Sequence, residues 1–509
     1  MRDKPKTLIA GSFFRCSYFF IAAIVGFVLT PLIIKHVGTR LFGIWELVGS
    51  FLGFYGLFDL GLSSAIVRFV SSLTVKKDDN SINRVVNTTF FLFLSLGILL
   101  LITTLLIIFG SAKYVKNIED IATFQIVFLI LGLNFSLTLP LRVFTSVLHS
   151  FLRFDQASMV EIATELIKPV LVIYVLTKGY GIIGLASVVT ILVLIGYLIK
   201  FFLAKKAFPA LSITVKFIDL KLIRSIVSYS IFSFINQVAS LLRYSLDNFV
   251  ISVMLGIGSI AYYAIPVRLI RYFKSFIENA LQITQPIFSQ YESQNNYESI
   301  RQKYLFFLKI SIFTSLFIST MLAFYAPLII KLWVGKQFLI GLPVLFILLF
   351  GQTIELMQSP AYGVLYGISK HKFYAYCNII EGAINLLLSI LLASKYGLIG
   401  VALGTAIPMA VFNLTIQPYY LCKVVDLKIS KFLKTLVIAT LKAIFVLALL
   451  IFIMNVLSIT NYIVVFLLFI ISLLLYAIVI FQMGFTKHEK NLFLKHFIKR
   501  DDKHSLTYS

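Results

Sequence analysis

Long apolar runs, broken by short polar or glycine-containing turns, fill this chain from about residue 8 to about residue 484. Most runs are roughly 20 to 35 residues, enough at ~1.5 Å per residue to cross a hydrocarbon core of about 30 Å. The pattern predicts about fourteen helices, over 8–34, 41–73, 84–110, 118–152, 155–177, 180–204, 221–255, 258–291, 302–326, 340–368, 371–394, 397–421, 432–457 and 460–484. The links on one side are tight: KGYG at 178–181, LGIGS at 255–259 and SKYG at 394–397. No polar loop is long enough to carry an extramembrane active site. The first run lacks a small-x-small cleavage site and continues to full span length, so it is expected to stay as a helix.

The turns repeat. KGYGIIGLA at 178–186 returns as SKYGLIGVAL at 394–403, and Glu165 and Glu381 share the offset of 216. KHVGTRLFGIW around Gly38 has a looser echo in VMLGIGSIAYYA around Gly256, and Pro140 and Pro360 interrupt corresponding helices. One offset in several places argues for a duplicated six-helix unit, and an even number of helices makes the repeats parallel. The expected fold is an all-α polytopic membrane protein: two pseudo-symmetric six-helix lobes plus two extra C-terminal helices. The boundaries are an N-terminal lobe at 1–204, a basic cytoplasmic linker at 205–220, a C-terminal lobe at 221–421, the extra helices at 422–484 and a basic tail at 485–509. Two such lobes facing each other would enclose a cavity.

Composition agrees. The chain is 60% hydrophobic and 13% charged, with mean hydropathy +0.97, outside the range of soluble globular domains. The net charge of +24 would suggest nucleic acid in a soluble protein. Here Lys and Arg gather in alternate loops and tails: Arg2, Lys4 and Lys6, KKDDNSINR at 76–84, the Lys205–Arg224 connection, and KHEKNLFLKHFIKRDDKH near the end. That is the positive-inside pattern; it places both termini in the cytoplasm and needs no nucleic-acid partner. Cys16, Cys377 and Cys422 lack ligand spacing, so neither metal nor disulfide is assigned. No nucleotide-binding glycine loop occurs, and no cofactor is implied.

Charges inside the spans carry the candidate chemistry, since each costs about 2.5–3.5 kcal/mol at membrane depth. Asp59 and Arg68 fall on opposite sides of a straight helix over 41–73, so at least one needs a partner from another helix or a ligand. In helix 7, Ser233, Asn236, Ser240, Arg243 and Asp247 form one stripe, either a cavity wall or a seam with Arg243 and Asp247 self-neutralised. Helix 8 sets Arg268, Arg271 and Lys274 against Glu278 alone. Helix 4 aligns Thr138, Arg142, Thr145, Ser146 and His149, with no acid in reach of Arg142 on its own helix. Arg15 lies about 10 Å into helix 1. Glu161, Glu165 and Lys168 share a face. Glu355 and Glu381 stand alone on their helices and, with Glu165, are candidates for ion coupling. An excess of guanidiniums over carboxylates suits a diphosphate. A hydrophobic drug cation would prefer carboxylates and aromatic rings.

TPLIIKHVGTRLFGIWELVGSFLGFYGLFDLGLSSAIVRFVS at 30–71, KYGLIGVALGT at 395–405 and the fourteen-helix layout resemble Wzx-type polysaccharide flippases. These belong to the multidrug/oligosaccharidyl-lipid/polysaccharide exporter superfamily. The resemblance implies a non-enzymatic, alternating-access carrier. Its substrate would be an undecaprenyl-diphosphate-linked oligosaccharide, moved to the outer leaflet of the plasma membrane for surface polysaccharide. Asp59 and Arg68 fall on the family's acidic and basic positions in FDLGLSSAIVRF, and the family's cationic lumens point to Arg142, Arg243 and Arg268. Membrane lipids, a polysaccharide polymerase and chain-length machinery are the implied partners. The rivals are a multidrug or toxin exporter, a lipid-linked peptidoglycan precursor flippase and, in another class, a membrane oligosaccharide polymerase.

Overall fold

The computed structural model describes residues 4–490, except 114, 116–117, 220, 224–237, 239–240, 242–245, 282–283, 369, 371, 456–461 and 488. Among the described residues every regular element is helical. Nine helical stretches there are long and apolar enough to cross a membrane. The chain divides into two compact units, Met1–Ala264 with Ser389–Val401, and Ile265–Leu388 with Ala402–Ser509.

The first unit contains α1 (Lys4–Tyr55), α2 (Leu62–Lys76), α3 (Asp79–Phe109), α4 (Ile118–Ser150), α5 (Phe154–Thr177), α6 (Gly181–Ala207) and α7 (Asp247–Leu255). Helix α1 packs along α5, while α4 lies against α2, α3 and α6. Its core gathers buried side chains of α2, α3 and α4, including Ile66, Val86, Phe93 and Val147. Large apolar residues such as Leu106, Phe109 and Phe202 remain exposed, as lipid-facing positions do. Asp78 caps α3, and hydrogen bonds from Ser81 hold its carboxyl below the usual range.

After α6 the chain runs extended over the first part of the basic linker, and two asparagines of α3 hold it. Asn83 donates to the Ala210 carbonyl and accepts from Ser212 N, both at 3.0 Å. One turn on, Asn87 donates to the Ser212 carbonyl and accepts from Thr214 N, both at 2.7 Å. Thr88 Oγ1 accepts from Asp219 N at 2.9 Å. Side-chain amides thus satisfy backbone groups that a lone extended segment would leave to water.

The second unit holds most of α8 (Gly258–Leu281), then α9 (Thr284–Ser293), α10 (Tyr297–Trp333), α11 (Leu342–Met357), α12 (Ser359–Gly367), both ends of α13 (Lys372–Val411), α14 (Gln417–Val424), α15 (Ile429–Asn455) and α16 (Tyr462–Gly484). Helix α10 is central, packed by α11, α12, α15 and α16, with Tyr304, Leu308, Phe317 and Phe432 in its core.

The repeated turns have repeated backbones. Gly38 breaks α1 at φ 79, ψ 170, and Gly256 separates α7 from α8 at φ 89, ψ 158. Gly181 and Gly397, 216 residues apart, both sit at φ 57. A side chain in the Gly38 and Gly256 conformation is strained, which explains glycine at both. The predicted boundaries at 34/41 and 255/258 fall on these breaks.

The predicted span 41–73 differs. The run 41–73 is not a straight helix: it ends in a short 3-10 turn at Gly56–Asp59, and Leu60 and Gly61 are left-handed (φ 50 and 75) before α2 begins. The opposite-sides argument for Asp59 and Arg68 therefore fails, because the helix it assumed is broken between them. The helix 7 stripe at Ser233, Asn236, Ser240 and Arg243 lies outside the described residues, as do the side chains of Arg15 and Glu278.

Candidate functional site

Asp59 stands at the break before α2. Its carboxylate accepts from Ser63 N at 3.2 Å and from Ser63 Oγ at 2.6 Å, which ties it to the first turn of α2. An anion suits that place, where unpaired N–H groups and the helix dipole converge. The same carboxylate lies 3.5 Å from Nη1 of Arg142 on α4. The acidic partner that Arg142 lacks on its own helix thus comes from the α1–α2 break.

Arg142 is held at one edge only. Its Nε is buried with no hydrogen-bond partner among the described residues, and so is Thr145 Oγ1 one turn away. The guanidinium carbon sits 5.9 Å from the Phe135 ring centroid. The rest of the expected helix 4 stripe is otherwise engaged. Thr138 and Ser146 donate to carbonyls of their own helix, and His149 stacks on Phe154 at 4.6 Å. Arg68 lies on the exposed side of α2. Of the substrate-binding candidates, the structure joins Asp59 with Arg142.

Other charges of the first unit pair both between helices and within one. Lys200 of α6 donates to Glu161 at 2.8 Å and lies 5.2 Å from the Tyr197 ring, while Lys168 pairs with Glu165. Glu165, an ion-coupling candidate, thus has a resident ammonium beside it. Lys200 had drawn no attention in the sequence, close to the expected end of helix 6. Asp247 accepts from Tyr263 OH at 2.5 Å.

In the second unit Glu355 does not stand alone, contrary to the single-helix reading. Lys274 of α8 donates to it at 3.2 Å, Gln352 at 2.5 Å and Tyr362 at 3.5 Å. The glutamate is buried, so the ammonium and the two neutral donors replace the water it has lost. Gln352 and Tyr362 are members of this network that no local pattern marks. Arg268 is half-buried and Arg271 exposed on the same helix as Lys274, and Glu381 is buried in α13. No group of three or more His, Cys, Asp or Glu side chains placed to hold a metal occurs among the described residues.

A cationic fork anchored at one edge thus sits inside a membrane-spanning helical unit, where it can hold an anion. A family model described as polysaccharide biosynthesis protein matches residues 38–341. The chain belongs to this family. It is 23% identical over 485 residues to the membrane protein EpsK of Bacillus subtilis (strain 168), covering 92% of this chain and 94% of EpsK. It is 22% identical over 407 residues to a Shigella flexneri protein named "Putative O-antigen transporter", covering 77% and 93%. Among solved structures, the lipid II flippase MurJ in an inward closed conformation matches with TM-score 0.71 at 20% identity, over 96% of this chain and 100% of MurJ. An inward-facing multidrug resistance MATE transporter of the MOP superfamily matches with TM-score 0.70 at 16% identity, over 80% and 94%. This polysaccharide biosynthesis protein is therefore a multi-pass membrane protein that shares the fold of those MurJ and MATE structures.

Proposed function

We propose that this chain flips an undecaprenyl-diphosphate-linked oligosaccharide repeat unit from the cytoplasmic to the outer leaflet, by alternating access between its two six-helix halves. The observation that carries the reading is Arg142, a guanidinium tethered to Asp59 at 3.5 Å with a buried Nε left over. Nε and an Nη are the two-donor edge that a phosphate oxygen pair accepts. Arg15, Arg68, Arg243, Arg268 and Arg271 remain candidates for head-group contacts. Both termini lie in the cytoplasm, and transport draws on an ion gradient, the membrane potential or consumption of the product. A polymerase and chain-length machinery act downstream.

The test is complementation of a strain lacking this chain. Arg142→Gln should abolish surface polysaccharide and accumulate the undecaprenyl-linked unit at the inner leaflet, with the protein still in the membrane. Arg142→Lys should restore it in part, because an ammonium cannot supply the fork. Normal polymer from Arg142→Gln would sink the reading. The MurJ-like fold makes a peptidoglycan precursor flippase the second reading. Rescue of a lipid II flippase depletion by this chain would favour it.

A further inference from the structure

One cleft of the second unit is not used by this mechanism. After α13 the helix passes through a π-helical turn, Phe412–Ile416, before α14. Such turns disrupt the regular ladder and are frequent at functional sites. The cleft beside it, ≈ 940 Å³, is rimmed by Lys370 and Lys423 and by the aromatic rings of Phe373, Tyr419 and Tyr420. The rim is fixed: Tyr420 stacks on Phe373 at 4.2 Å and donates to the Lys370 carbonyl at 3.1 Å.

Phe373, Ile416 and Tyr420 also line a narrow inner chamber, ≈ 10 Å³, that reaches Asn378, Glu381, Asn413 and Gln417. That volume holds about one water-sized group. Gln417 is 5% exposed, yet neither its Nε2 nor its Oε1 has a hydrogen-bond partner among the described residues, and Asn378 Oδ1 is likewise unpaired. Burying an amide unpaired is costly, so a built pocket aimed at nothing would be a poor use of two side chains. From the cleft an exposed apolar stripe, Tyr376, Ile380, Ile384 and Leu387, climbs α13 at helical spacing.

The three parts match three parts of one molecule. Two ammoniums take a phosphate, the inner chamber takes a single hydroxyl, and the stripe takes hydrocarbon. The unpaired Gln417 amide in the chamber can both donate to and accept from a hydroxyl, which a bare phosphate does not offer. We propose that this cleft binds the head group of an anionic, hydroxyl-bearing phospholipid of the phosphatidylglycerol type, with its chains along α13.

The full-length protein in detergent micelles, titrated with phosphatidylglycerol, phosphatidic acid and phosphatidylcholine and read by native mass spectrometry, tests this. Phosphatidylglycerol should be retained over the other two. Lys370→Gln and Lys423→Gln should each weaken both anionic lipids about fivefold. Gln417→Leu should remove the preference for phosphatidylglycerol over phosphatidic acid and leave phosphatidic acid unchanged. This variant should fold, since replacing an unpaired buried amide by an apolar side chain is neutral or stabilising. An unchanged preference in Gln417→Leu, or no preference over phosphatidylcholine in the parent, overturns the proposal. Glycerol 1-phosphate should compete only weakly; competition equal to the lipid's would overturn the lipid and leave a soluble phosphate ester as the ligand.

Discussion

Asp59 does two things at once, and a pair of substitutions separates them. It caps α2 through Ser63 N and Oγ, and it faces Arg142 at 3.5 Å. Asparagine caps as well as aspartate does, whereas alanine forfeits about 0.5–2 kcal/mol. The gross attraction to Arg142 is about 4.7 kcal/mol at an effective dielectric of ~20. The two side chains are 23% and 14% exposed, however. Residual solvent and the cost of desolvation bring the net to about 1 kcal/mol. Asp59→Asn should then cost about 1 kcal/mol and Asp59→Ala about 1.5–3. Thermal unfolding in micelles, followed through Trp45 and Trp333, resolves a gap of that size. If Asp59→Asn destabilises as much as Asp59→Ala, the cap does not hold the break and the ion pair does. If neither moves the midpoint, both halves of the reasoning fail.

Lys274 and Glu355 should behave as a unit. Glu355→Gln strands a mostly buried ammonium at a cost of about 3–5 kcal/mol, and adding Lys274→Met should recover most of it, measured as a double-mutant cycle. Asn87→Leu removes two bonds to the linker and leaves Ser212 O and Thr214 N unpaired, at about 1–3 kcal/mol each, so trypsin should cut faster at Lys205, Lys206 and Lys216. Glu489, beyond α16, is pushed up by burial but pulled down further by hydrogen bonds from Lys309 and Thr486, so its carboxyl lies below the ordinary 4.5. A lowered folded value stabilises above the unfolded one and is lost as pH falls through the folded one. Protection against hydrogen exchange at 486–490, taken relative to the intrinsic rate at each pH, should therefore fall in acid below the ordinary value, and should fall less in Lys309→Gln.

The spans and the repeat were legible because hydropathy marks membrane helices and glycine marks positive φ. Gly38, Gly256 and Gly397 all bend the chain where the turns were expected. The break at Asp59 was not legible, since Leu60 keeps the run apolar while its backbone turns left-handed. Hydropathy has no access to a torsion angle. Ion pairs were the larger gap. Asp59 with Arg142, Lys200 with Glu161 and Lys274 with Glu355 each join different helices, and a helical wheel shows only which residues share one helix. Glu355 looked solitary for that reason alone. Buried Gln417 was invisible too, because a lone glutamine near a helix end is ordinary in a sequence.

The two halves separate what a duplicated carrier must keep from what it can vary. The Gly38 and Gly256 turns share a backbone that only glycine adopts cheaply, and Gly181 and Gly397 share a positive φ of 57°. These positions fix where each helix re-enters the membrane, so a change there misplaces everything beyond it. Charge has no such constraint. Glu165 has Lys168 beside it, whereas Glu381 has Ile384 at the matching position and lies in a chamber of amides. One half therefore sets an ammonium of the same helix beside its glutamate, while the other lines the counterpart's chamber with amides, so the duplication repeats the turn but not the charged company.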